Sequence, residues 1–303
     1  MTNNFKLIGF PIVAAFFAFS LSSCKKVNNG ELGALPVVDF VAVPGTNPNN
    51  ITLVNKSATA TIPYWRIGNS GTLITGDSAK YSFVFAGTYM VTMYGAGHGG
   101  IDSITKSIVI AQSDLNACVG TQLGFLAGCT SKTWKLNPDA GAYKVGDAGP
   151  GAGNWWTSPA TEAAARSCEF NDEYTFSFDA HGTFVYDNKG DFYGDGYLGN
   201  NTGTCQPASN YTPAQAGWGS GTFTYTFTPD AGVNNLGQLT LIGLGAHIGI
   251  QKARNGGEVT AGPASSITYD IISVTHTTEG YDLMTVGLNI GGAGWWNFTL
   301  RSF

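Results

Sequence analysis

Downstream of residue 35 the chain consists of short runs in which apolar and polar residues take turns, the period of a strand with one face on a core. Tyr174-Thr175-Phe176-Ser177-Phe178, a turn at Asp179-Ala180-His181-Gly182, and Thr183-Phe184-Val185-Tyr186 predict a β-hairpin. Residues 222–227, 238–241, 269–274, 281–290 and 296–300 repeat the device, with Glu279-Gly280 as a further turn. Upstream, residues 37–40, 51–54, 64–67, 81–85, 89–94 and 104–110 alternate in the same way between breaks rich in Gly, Asn and Pro. Residues 115–126 could hold one short helical turn, and strands dominate from there to the end. The expected class is all-β. An immunoglobulin-like sandwich of roughly seven strands spans residues 36–112, a polar boundary follows at Gln112-Ser113-Asp114, and a larger antiparallel β-sandwich, jelly-roll-like, fills residues 113–303.

The N-terminus breaks this pattern. Lys6 precedes an uncharged stretch that ends in Leu21-Ser22-Ser23-Cys24, which predicts a lipoprotein signal peptide over residues 1–23, cleavage and acylation at Cys24, and a linker over 24–35. A transmembrane helix fits less well, because the stretch carries Pro11 and serines and is shorter than the roughly 20 apolar residues a span requires. Export leaves Cys118, Cys129, Cys168 and Cys205 as possible disulfide partners in three complete pairings. No Cys-x-x-Cys occurs and the histidines are scattered, so no zinc site is expected. A net charge of −5 with no basic run excludes nucleic acid as a partner.

The candidate chemistry is aromatic. On a strand, neighbours in Trp155-Trp156 and Trp295-Trp296 point to opposite faces, so one indole can fill a core while the other projects outward. Exposed indole faces stack on the C–H faces of sugar rings, and hydroxyls need amide, carboxylate or N–H partners. Trp156 and Trp295 are the first choices for a glycan platform, with Trp155, Trp296, Trp218, Tyr193, Asn154 and Glu258 in support. The loop Asp191-Phe192-Tyr193-Gly194-Asp195-Gly196-Tyr197 is a second candidate contact; Asp187, Asp191 and Asp195 could also offer oxygens to Ca²⁺, although the spacing lacks an EF-hand ligand set. No other cofactor is expected.

Two stretches resemble known families. Gly87-Thr88-Tyr89-Met90-Val91-Thr92 matches the Gly-Thr-Tyr-x-Val-Thr strand of the PKD (polycystic kidney disease) module, and Trp65-Arg66-Ile67-Gly68-Asn69-Ser70 stands where that module has Trp-Asp-Phe-Gly-Asp-Gly. The resemblance implies a spacer domain with Trp65 in its core. Lys132-Thr133-Trp134-Lys135-Leu136, residues 141–146, Asn154-Trp155-Trp156, Asp172-Glu173-Tyr174-Thr175-Phe176 and Gly182-Thr183-Phe184 together resemble the C-terminal domain of Bacteroidetes lipoproteins encoded with starch-utilisation-like (Sus-like) glycan uptake systems. That resemblance implies a surface glycan-binding protein anchored in the outer membrane, serving β-glucans such as laminarin beside a TonB-dependent transporter and its partner lipoprotein.

A glycoside hydrolase of laminarinase-like type is the chief rival. It needs two carboxylates flanking the scissile bond. Glu169-Phe170-Asn171-Asp172-Glu173 superficially resembles the Glu-x-Asp-x-Glu strand of those enzymes, but strand alternation would send Asp172 to the face opposite Glu169 and Glu173. Among the histidines, His247 lies in an apolar run, Ala246-His247-Ile248-Gly249, and is read as a core or rim residue of a strand. No Gly-x-Ser-x-Gly elbow is present. The expectation is a binder and not an enzyme; a structural or adhesive surface protein, the third class, would bury its tryptophans.

Overall fold

The computed structural model describes residues 33–68, 73–199, 202–259 and 262–303. The expected signal peptide and the expected acylation site at Cys24 lie outside them.

The first unit contains seven strands: β1 (Phe40–Pro44), β2 (Asn50–Asn55), β3 (Ile62–Ile67), β4 (Ile74–Thr75), β5 (Ser78–Ser82), β6 (Gly87–Gly97) and β7 (Gly100–Ile110). They form two sheets, in the orders β1-β2-β5 and β4-β3-β6-β7. Between the sheets Phe40, Leu53, Trp65, Val91 and Met93 are fully buried. Trp65 meets Phe40 edge to face and donates its indole N–H to the Gly76 carbonyl, so it belongs to the core, as the sequence resemblance implies. The run at 81–85 is strand only at its start, since β5 ends at Ser82; Phe85 instead packs on Phe178 of the second unit, ring centroids 5.0 Å apart.

The second unit is also antiparallel, but its strands do not divide into two sheets. Its principal strands are β8 (Ser131–Leu136), β9 (Tyr143–Gly146), β10 (Trp156–Thr157), β11 (Glu173–Ser177) and β12 (Thr183–Asp187). Beyond a small pair, β13 (Asp191–Tyr193) and β14 (Cys205–Pro207), come β15 (Gly221–Thr228) and β16 (Gln238–Ile242). A second small pair, β17 (Ala253–Arg254) and β18 (Gly257–Glu258), precedes β19 (Ser266–His276), β20 (Asp282–Gly291) and β21 (Gly294–Ser302). The ten-stranded sheet runs β10-β9-β21-β20-β19-β16-β15-β12-β11-β8, and β21 pairs with β8 as well. That last pairing closes β8, β11, β12, β15, β16, β19, β20 and β21 into an up-and-down barrel, where each strand bonds to the next along the chain. The all-β class therefore holds, while the jelly-roll arrangement gives way to a meander. Short connections keep β11 and β12, β15 and β16, β19 and β20, and β20 and β21 adjacent, and the longer ones after β8, β12 and β16 also return to a neighbouring strand instead of crossing to a second sheet.

Alternation packs the barrel. Trp134, Leu136, Tyr174, Phe176, Phe184, Tyr186, Leu239, Leu241, Tyr269, Val286, Phe298 and Leu300 all point inward and are 2% exposed or less. The two ends are closed differently. At the end where β8 begins, α1 (Gln122–Ala127) lies across the opening, and a Cys118–Cys129 disulfide ties its loop down. Trp134 donates to the Leu126 carbonyl there. At the other end, residues 246–251 drop into the barrel as a buried plug. Tyr269 accepts from the Ile248 N–H at 2.9 Å and Tyr174 from the Gly249 N–H at 3.1 Å. Gly249 has φ +74°, and a Cβ there would sit 2.3 Å from Phe298, so no other residue fits without displacing that ring. His247 is thus in a plug, not a strand. Its Nδ1 lies 2.7 Å from the Gly245 carbonyl, and burial pulls its pKa down to about 4.

Candidate functional site

The plugged end carries a cavity of about 300 Å³ lined by Tyr143, Trp156, Arg166, Asp195, Ile250, Lys252 and Trp296. Strand register explains its aromatic wall. β21 bonds to β8 only at Leu300–Ser302, and from Trp295 to Phe298 the same edge is occupied by β9. Val145 of β9 is then opposite both Trp296 of β21 and Trp156 of β10, so the three side chains share one face. The indoles of Trp156 and Trp296 meet edge to face at 6.5 Å, and Tyr143 lies 6.5 Å from Trp156 at 27°. Trp156 is 39% exposed, while Trp296 is 6% exposed and continues into the core, parallel to Phe298.

Trp295 and Trp155 fall on the other face. Trp295 is half-buried on the outer wall beside Asn289, and Trp155 is 56% exposed with its ring edge over Gly294. The pairing of Trp156 with Trp295 expected from sequence therefore gives way to Trp156 with Trp296. Trp218 is a correction too: at 2% exposure it is the centre of a small core with Phe192 and Leu198, and offers no platform. Asn154 is spent on its own loop, donating to Asp147 and accepting from the N–H groups of Asp147 and Ala148.

The polar wall is made of cation–carboxylate pairs. Glu258 accepts from the Trp296 indole N–H at 2.6 Å and from Lys252 at 3.0 Å, which places it beside the cavity. Opposite, Arg166 bonds Glu162, Glu169 and Asp195 at 2.8, 3.3 and 3.0 Å, and its guanidinium stacks 4.0 Å from the centre of the Tyr193 ring. Tyr193 thus supports the wall without facing the cavity. Behind this wall α2 (Glu162–Ala165) leads into α3 (Ser167–Phe170), which a Cys168–Cys205 disulfide joins to β14; with Cys118–Cys129 it selects one of the three possible pairings. Asp187 pairs with Lys189 and Asp195 with Arg166, so the carboxylates weighed for Ca²⁺ do not converge. Among the described residues no cluster of His, Cys, Asp or Glu is arranged for a metal.

Beneath the cavity the acids are buried. Glu169 accepts from the Tyr143 hydroxyl at 2.9 Å, and burial raises its pKa against the opposing pull of Arg166 and Tyr143. Asp172 accepts from Tyr186 at 2.8 Å; burial lifts it well above the usual carboxylate range, and neighbouring Glu169 adds to the rise. Burial depresses the Arg166 pKa less than Glu169 and Asp195 raise it, so the guanidinium stays charged. Glu169 sits in α3 and Glu173 in β11, so the one-strand premise used for residues 169–173 fails; Glu169 and Asp172 are both interior. Tyr143, Arg166, Ile250 and Lys252 carried no signal of their own in sequence, because turn and plug segments far apart in the chain bring them together.

No protein-family model matches the chain, and no curated protein does. Among solved structures, the PKD1 domain of Vibrio anguillarum Epp aligns with 26% of this chain and 95% of its own length, at 20% identity and a TM-score of 0.23. The PKD1 domain of the Vibrio cholerae metalloprotease PrtV aligns over 26% of this chain and all of its own, at 26% identity and the same TM-score. Part of the chain is similar to PKD domains.

Proposed function

We propose that this protein is a lipid-anchored surface glycan-binding protein of a Sus-like uptake system, and that the cavity at the plugged barrel end is its sugar site. The observation that carries the reading is the shared face of Trp156 and Trp296, with the Lys252–Glu258 and Arg166–Asp195 pairs beside it. A stacked pyranose would lie on Trp156, and the paired charges would exchange hydrogen bonds with its hydroxyls without favouring a charged ligand. The PKD-like unit would act as the spacer from the outer membrane, on a tether at Cys24. A neighbouring TonB-dependent transporter and its partner lipoprotein would receive the polymer, β-glucans such as laminarin first, and simultaneous engagement of one chain by several lipoproteins would raise avidity.

Affinity electrophoresis and a glycan array of laminarin, mixed-linkage glucan, starch, xylan and mannan test the reading. Retardation by at least one polymer, lost in Trp156→Ala and retained in Trp155→Ala, is expected. Binding to none of them, or release of products from any, would remove it in favour of an adhesive or hydrolytic protein respectively.

A further inference from the structure

The α1 end of the barrel holds a second and larger cavity, of about 360 Å³, that the glycan reading does not use. Its lining comes from the start of β8 and β20 and the end of β15 and β19, whereas the sugar cavity involves the start of β21 and the plug after β16. The antiparallel meander places these at opposite ends. Phe125, Phe227, Leu236, Ile271 and Met284 belong to its apolar wall, and the Cys118–Cys129 bridge holds α1 over it.

Its charged groups gather at one edge, where Lys132, Asp282 and His276 meet, and Thr121 and Gln122 complete the polar lining. Lys132 points its ammonium inward at 14% side-chain exposure, 4.6 and 4.5 Å from the ring centres of Phe125 and Trp134. It donates to the Phe125 carbonyl at 2.9 Å and to Asp282, which leaves one of the three N–H groups of an ammonium free for a further acceptor. Asp282 divides its two oxygens between Lys132 and His276. One carboxylate thus bridges the ammonium and the imidazole, and the remaining ammonium N–H is the donor at the cavity edge without an acceptor.

We propose that this end of the barrel binds a medium-chain carboxylate, with its alkyl tail among the apolar wall residues and its head at Lys132 beside His276. The volume lies near the lower end of small-molecule pockets, roughly 300–1,000 Å³, which favours a short tail over a long-chain lipid. Apolar walls with the charged groups confined to one edge match an amphiphile and not a sugar, which would strand its hydroxyls.

Calorimetric titration of the whole chain with decanoate and with decanol, in detergent-free buffer, tests the assignment. One saturable decanoate site per chain is expected, with decanol bound more weakly. Leu236→Trp, which fills the cavity without touching the ionic groups, should weaken both ligands at least tenfold. Lys132→Met should weaken decanoate about tenfold and leave decanol unchanged. Absence of saturable decanoate binding, or full binding in Leu236→Trp, overturns the site; an equal loss of both ligands in Lys132→Met overturns the head-group role. Glycan retardation should be untouched in both variants, since the sugar cavity is at the far end.

Discussion

At the α1 end the barrel is sealed by apolar side chains and a disulfide-pinned helix, with one ion pair at the edge; at the plugged end it is sealed by backbone, tyrosine hydroxyls and buried acids held around Arg166. Hydrophobic closure tolerates a void, because an apolar wall loses only contacts when it is not fully covered. Polar closure does not, because every group withdrawn from water needs a partner. The plugged end should accordingly be the more fragile of the two to loss of a single side chain, and the α1 end the more tolerant of change in volume.

The largest effect tests this directly. Arg166→Ala leaves Glu169 buried without its cation and releases Glu162 and Asp195, so a loss of about 3–5 kcal/mol is expected in chemical denaturation. Lys132→Ala, at the other end, should lose clearly less. Equal losses would break the distinction between the two closures.

Removing the disulfides one at a time sharpens it. In the chain-entropy account, the bridge between Cys168 and Cys205, separated by 37 positions, contributes about 4 kcal/mol, and that between Cys118 and Cys129, separated by 11, about 3 kcal/mol. Serine double variants followed by thermal melts should rank in that order. The first should also weaken glycan retention, because it frees the wall that carries Arg166 and Asp195; the second should weaken decanoate instead.

Acid separates the ends further. His247 has a folded pKa of about 4 against 6.5 for the free side chain, so the folded state binds fewer protons and stability is lost as pH falls through that interval, by about 3 kcal/mol once below it. His247→Gln should flatten that fall in denaturation curves between pH 7 and 4. The buried acids have the opposite sign. Glu169 and Asp172 have raised folded pKa values, so their contribution is complete at low pH and declines as pH climbs through the raised values. Asp172→Asn, which keeps an acceptor for Tyr186, should gain on the parent at pH 8 and converge with it near pH 4.

Legibility in the sequence follows the range of the interactions. The hairpin of β11 and β12 was readable because its alternation and its turn are local, and the same holds for β15, β16, β19, β20 and β21. Barrel closure was not, because it depends on β8 meeting β21 across more than half the chain. Residues 246–249 read as a strand in the sequence because a buried plug and a buried strand are equally apolar. Alternation within each tryptophan pair is a local property, but which member of one pair faces which member of the other is decided by the register through Val145, and register between distant strands leaves no mark in either pair.

The smallest stability effect therefore carries the most information about function. Trp156 is 39% exposed and touches the cavity from its rim, so Trp156→Ala should cost about 1 kcal/mol or less while abolishing retardation on glycan gels. Trp296→Ala removes a ring that also packs on Phe298, and its loss of binding will come with a fall of several kcal/mol in stability, roughly 3–5 for a buried aromatic. Trp295→Ala and Trp155→Ala, on the outer face, should leave retardation unchanged, and half-buried Trp295 should lose more stability than Trp156 on truncation. If retardation instead follows Trp155 and Trp295 while Trp156→Ala binds normally, the sugar lies along the outer wall of the barrel, and the charged pairs at its plugged end serve only to hold that end closed.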